Sequence, residues 1–204
     1  MIVRLVYPVG MLAAVALSVA CGDARVCAAA GGIALAARFL RARGWRTQPP
    51  DAGRLAFANL VTTARLLVVV SLPLLFGSLP RAALAGIVVV VLVVDGVDGY
   101  IARARGEASA FGADYDMETD ALCVMLLALL LRQGGVGPWV LVAGLWRYAF
   151  AAAVAVVPAL GDCPPSPIYR WIFTILMLAF AVAFLPLGPL GSAAAAVGTA
   201  LVSF

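Results

Sequence analysis

Apolar positions in this chain come in long continuous runs, at 1–21, 26–42, 59–79, 81–99, 116–134, 138–158, 167–185 and 188–204, separated by short polar stretches. A helix that crosses a bilayer needs about 20 mostly apolar residues, so each run is a candidate transmembrane helix and eight is the upper count. Continuous runs, unlike the alternating pattern of barrel strands, argue against a β-barrel, and an open sheet leaves its backbone unsatisfied in lipid. The weakest candidate is 26–42, which is rich in Ala and Gly and ends in Arg38 and Arg41; it suits the membrane interface as well as a span. Composition agrees: 204 residues, 65% hydrophobic and only 12% charged, with a mean hydropathy of +1.09, lie far outside the range of soluble domains. One helical, integral membrane domain is expected.

The polar stretches orient it. "RARGWRTQPPDAGR" carries Arg41, Arg43, Arg46 and Arg54, with Arg38 just before it, and reads as a cytoplasmic loop because basic residues stay on that side. From there 59–79 runs outward and 81–99 returns, so Asp95 to Asp120 lies at the cytoplasmic face. "GDCPPSPIYR" (161–170) is then cytoplasmic and "RQGGVGP" (132–138) outside. Residues 1–21 read either as a retained helix or as a signal peptide, with "SVAC" before "GDA". In both readings residue 22 is outside.

Charge changes the picture most between Asp95 and Asp120, where seven of the ten acids gather in 26 residues. All fourteen basic residues are Arg and His is absent, so a general base or metal ligand must be carboxylate or Cys. The four Cys contain no CxxC pair, which argues against zinc. Cys21 and Cys27 can be paired outside or stay isolated thiols. Asp95 and Asp98 stand at i and i+3, Asp116 and Asp120 at i and i+4, so each pair shares one helix face. Converging carboxylates repel unless a cation sits between them, and an all-oxygen ligand set suits Mg²⁺, Mn²⁺ or Ca²⁺. Gly99, Ala102 and Gly112 leave room for a ligand, and Arg103 is placed to hold a phosphate or cap the loop.

The spacing resembles the signature of the CDP-alcohol phosphotransferase family, D-x2-D-G-x2-A-R-x8-G-x3-D-x3-D. It matches at every fixed position: Asp95, Asp98, Gly99, Ala102, Arg103, Gly112, Asp116 and Asp120. The six apolar segments from 59 onward are similar to that family's six-helix membrane core. The resemblance therefore implies an all-α protein with residues 51–204 as a six-transmembrane-helix domain. Residues 1–50 then form an N-terminal extension of one or two further hydrophobic helices and a basic loop. It implies transfer of a substituted phosphate from a CDP-linked donor, with CDP-diacylglycerol the favoured one, to an alcohol, releasing CMP in phospholipid biosynthesis; the alternative within the family is a soluble CDP-polyol donor or a lipid diacylglycerol acceptor. By the same resemblance Asp95, Asp98 and Asp116 hold one or two divalent ions, Mg²⁺ or Mn²⁺, with Asp120 deprotonating the acceptor and contributing to the metal site. Asp95, Gly99, Ala102, Arg103 and Gly112 surround the nucleotide. Implied partners are the CDP-alcohol, the alcohol acceptor, the lipid bilayer and a second copy of the chain, with no nucleic acid. The implied location is the bacterial inner membrane, active site facing the cytoplasm.

Upstream, "NLVTTARLL" is similar to an N-x-x-T-x-x-R stretch that precedes the signature in bacterial relatives. Asn59, Thr62 and Arg65 fall on roughly one helix face, where they line the nucleotide pocket, or else Asn59 caps the helix and Arg65 snorkels to headgroups. "DMETDAL" departs from the Pro and Ala-Asp-Lys of many relatives that use glycerol 3-phosphate, leaving the acceptor open. Glu118, two positions from Asp116 and from Asp120, points away from them. Arg147, inside an apolar segment, is the candidate for gripping an anionic acceptor or donor phosphate; Arg170 either assists or snorkels. A cation transporter is the rival class, but transport sites favour the bilayer midplane and these acids cluster at one end. A non-catalytic scaffold or a plain solvated acidic loop has no use for this periodic spacing.

Overall fold

The computed structural model describes residues 2–42, 57–104, 110–157 and 168–202. Eight α-helices follow one another among them: α1 (Ile2–Cys21), α2 (Ala24–Ala42), α3 (Phe57–Leu75), α4 (Arg81–Ala104), α5 (Ala110–Gln133), α6 (Leu141–Val156), α7 (Ile168–Phe184) and α8 (Pro189–Val202). A 3₁₀ turn at Pro138–Val140 leads into α6. Each apolar segment has become one helix, and the described residues contain no strand. Most of the basic loop, and "GDCPPSP" before α7, lie outside the described residues.

Local chemistry sets several boundaries. α1 and α5 both end in a glycine with left-handed backbone, Gly22 at φ 66° and Gly135 at φ 99°. After α5, Val136 N–H donates to Leu131 O (3.0 Å) and Gly135 N–H to Arg132 O (3.2 Å); after α1, Asp23 and Gly22 donate to Ser18 and Val19 in the same way. These are Schellman closures, which satisfy the last carbonyls and favour glycine because a Cβ resists that backbone. The Gln133 amide donates to Gly22 O at 2.5 Å, tying the two closures together. α3 stops at Leu75, short of the expected 79, ahead of Gly77 at φ 92°.

α5 is the axis of the bundle. Every residue from Ala121 to Leu131 is buried, as expected of a helix that is apolar all round. Helices α2, α3, α6 and α7 pack against it. Small residues permit the closest approaches: a Cβ on Gly31 of α2 would lie 2.5 Å from Leu122 Cδ1, and one on Gly144 of α6 would lie 2.7 Å from Met125 Cα. α2, which the sequence allows to lie at an interface, is thus a packed member of the bundle, antiparallel to α1 and touching α3 and α5. Cys21, Cys27 and Cys123 are free thiols, so the possible Cys21–Cys27 pair does not form.

The outward faces stay greasy. Leu67, Leu74, Val90, Val93, Trp146, Trp171 and Leu190 are all exposed, the inverse of the charged exterior that a water-soluble bundle presents. Among the described residues one helical stretch, Pro138–Val156, is long and apolar enough to cross a membrane by length and composition; shorter apolar helices include Tyr7–Cys21, Leu60–Leu75 and Arg170–Phe184.

Candidate active site

Because the helices alternate in direction, the later part of α4, the first turns of α5 and the first half of α3 meet at one end of the bundle. There Asp95 of α4 and Asp116 and Asp120 of α5 converge, each offering a carboxylate oxygen within 4.8 Å of the others. The i, i+4 spacing places the two α5 acids on one face, and α3 packs against both α4 and α5. All three are partly accessible, with side-chain exposures of 20%, 38% and 23%.

Three ionised carboxylates at this spacing repel by roughly 3–4 kcal/mol per pair at an effective dielectric of ~20, so a cation is required. The chain supplies one: Arg65 of α3, buried to 4% exposure. Its guanidinium pairs with Asp95 and Asp116 in close contact and with Asp120 at 3.0 Å. Of the two sequence readings of Arg65, snorkelling to headgroups is overturned, because the side chain turns inward to the acids. Thr62, three residues earlier on α3, is buried as well. Thr63 and Tyr115 hydroxyls lie 3.3 Å apart across the α3–α5 contact, and the Thr119 hydroxyl donates to Tyr115 O at 2.9 Å.

The donor set fits a hard divalent ion. It consists of carboxylate oxygens alone, without imidazole or thiolate, and ligand oxygens about 2.0–2.6 Å from such an ion lie at most about 5 Å apart. That is the spacing found.

The other expected residues distribute unevenly. Asp98, Gly99, Ala102 and Arg103 belong to the last turns of α4 and Asn59 to the first turn of α3, two residues inside its start rather than at the cap position. Their side chains lie outside the described residues. Gly112, half-buried, sits in the first turn of α5. Arg147 does not join the acid cluster; its Nη2 donates to Oε1 of Glu118 at 3.1 Å, and Glu118 is buried. Arg170 is exposed at the start of α7, and among the described residues it pairs with none of the acids. The sequence signal for Arg65 was its place in N-x-x-T-x-x-R together with the need of clustered acids for a cation; nothing local to α3 names its partners.

Beside the acids, an apolar groove of about 510 Å³ runs between α2 and α3, lined by Ala29, Gly32, Ala36, Leu67 and Val70 and reaching Thr63 and Tyr115, the neighbour of Asp116.

No curated protein and no solved structure matches the chain. The family model for CDP-alcohol phosphatidyltransferase does, over residues 55–204, which contain all three converging aspartates and Arg65. With the match covering most of its length, the chain belongs to the CDP-alcohol phosphatidyltransferase family.

Proposed function

We propose that this protein catalyses the divalent-metal-dependent transfer of a phosphatidyl group from CDP-diacylglycerol to an alcohol, releasing CMP, as a step of phospholipid synthesis. The observation that carries this reading is the convergence of Asp95, Asp116 and Asp120 from two helices at one end of the bundle. In this reading α3 to α8 span the bilayer and the acids face the cytoplasm, in the bacterial inner membrane, with the chain acting as a homodimer.

Asp95, Asp98 and Asp116 hold one or two divalent ions, Mg²⁺ or Mn²⁺. When bound, these neutralise the diphosphate and stabilise charge on the departing CMP. Asp120 takes the proton of the acceptor hydroxyl. The acceptor oxygen bonds to the phosphorus that carries the diacylglycerol, and the bridging P–O bond to CMP breaks. Asp120 suits the base role because its side chain is 23% exposed and so reachable by an acceptor hydroxyl. The i, i+4 spacing sets the base, Asp120, beside Asp116, which would hold an ion that neutralises the diphosphate. Asn59, Thr62, Gly99, Ala102, Arg103 and Gly112 surround the nucleotide, and Arg147 and Arg170 remain candidates for anionic parts of the substrates.

The apolar groove between α2 and α3 supports a lipid substrate, since it offers acyl chains a path that reaches Thr63 and Tyr115 at the α3–α5 contact. The test is CMP release by purified protein given CDP-diacylglycerol, Mg²⁺ and, in turn, glycerol 3-phosphate, inositol 1-phosphate, serine or phosphatidylglycerol. Release with one acceptor, abolished by a chelator, is the expected result. Release only from a soluble CDP-alcohol would replace the donor, and no release from any CDP-linked donor would overturn the reading.

A further inference from the structure

We infer that Arg65 makes metal loading and nucleotide binding mutually dependent, by holding the carboxylates that a divalent ion must take and needing an anion in exchange. This rests on the metal-dependent reading above.

The side chain of Arg65 is 2% exposed, and its guanidinium pairs with acids from two helices, Asp95 on α4 and Asp116 and Asp120 on α5. Arginine does not deprotonate in proteins, so this charge is permanent. Those carboxylates are also the oxygens that fit a hard ion. A divalent ion and Arg65 therefore claim one ligand set, and whatever the ion gains Arg65 loses. A buried guanidinium stripped of its partners is left as an uncompensated charge, and the Arg65 side chain is 2% exposed on a helix packed against α4 and α5.

Charge accounting shows what releases it. With Asp98, the further acid of the proposed metal set, four carboxylates and one guanidinium sum to −4 + 1 = −3. Two divalent ions bring the site to +1, an excess of positive charge beside a buried guanidinium. The diphosphate of a CDP-linked donor carries two negative charges and offsets that excess. An ion arriving alone must strip Arg65 of these acids, whereas an ion arriving with a diphosphate brings a new partner for it. The coupling is reciprocal: whatever factor the nucleotide adds to metal affinity, the metal adds to nucleotide affinity. In the resting enzyme Arg65 also keeps the acids assembled without metal.

The test measures Mn²⁺ binding by electron paramagnetic resonance on full-length protein in nanodiscs, with and without CDP, for wild type, Arg65→Met and Arg65→Lys. In wild type, CDP tightens Mn²⁺ binding at least about tenfold, within the usual range of coupling between sites. Arg65→Met binds Mn²⁺ without CDP about tenfold more tightly than wild type, and the further gain from CDP shrinks. Arg65→Lys keeps the charge but cannot bridge three acids, so its CDP-free affinity falls between the two. It serves as the reading if the Met variant does not fold. A wild type that binds Mn²⁺ and releases CMP, alongside variants whose CDP-free affinity is unchanged or weaker, overturns the coupling alone. A wild type that binds no Mn²⁺ with or without CDP and releases no CMP overturns the proposed function and the coupling with it.

Discussion

Glu118 of α5 and Arg147 of α6 form an ion pair of 3.1 Å between the two helices, with Glu118 only two residues from Asp116 and from Asp120. A helical step of two residues is about 200°, so the acid that pairs with α6 and the acids that meet Arg65 occupy opposite sides of α5. α5 is held electrostatically from both sides, by α3 through Arg65 and by α6 through Arg147.

Removing Arg147 takes a charge-assisted partner from the buried Glu118. Arg147→Gln is expected to lower stability by up to about 3 kcal/mol, at the bottom of the range for fully buried pairs because Arg147 is partly exposed. Glu118→Gln/Arg147→Gln should recover part of that loss, read as melting temperature in one detergent. A single variant that melts like wild type but has a raised KM for an anionic substrate would show instead that Arg147 serves that substrate.

Asp95→Asn removes a charged ligand while preserving shape. CMP release at saturating Mg²⁺ should fall by more than about 100-fold, exceeding the usual loss from a mere supporting group. Turnover near wild type would remove Asp95 from the metal site.

Asp120→Asn separates chemistry from binding. Loss of a general base slows turnover by about 10²–10⁴-fold, and CDP binding measured by equilibrium dialysis should persist. Failure to bind CDP would make Asp120 primarily a ligand.

Adjacent glycines on α2 should respond oppositely. A Cβ on Gly31 would meet Leu122 Cδ1 at 2.5 Å, whereas one on Gly32 would touch Val70 Cγ1 at an ordinary 3.4 Å. Leu122 is fully buried, so its side chain yields only by repacking against its neighbours, and Gly31→Ala should cost about 1–3 kcal/mol. Gly32→Ala should be neutral or gain up to about 1 kcal/mol from the lost backbone freedom of glycine. Melting curves of the two variants decide; equal shifts would show that α2 does not pack closely on α5.

The eight helical segments were legible in the chain because a run of about 20 apolar residues is a local property, as is the i, i+4 spacing that puts Asp116 and Asp120 on one face. Those two features, with the eight-residue signature, determined the helical class, the family and three acids that converge. Tertiary structure decided the partners. Arg65 and Arg147 look alike in sequence, each an arginine inside an apolar helix, yet one is buried among three aspartates and the other holds Glu118. The difference arises because α3 and α6 dock on different sides of α5, and docking depends on close approaches such as Gly144 against Met125 and Gly31 against Leu122. Periodicity says which residues share a face; only the packing of one helix on another says what that face meets.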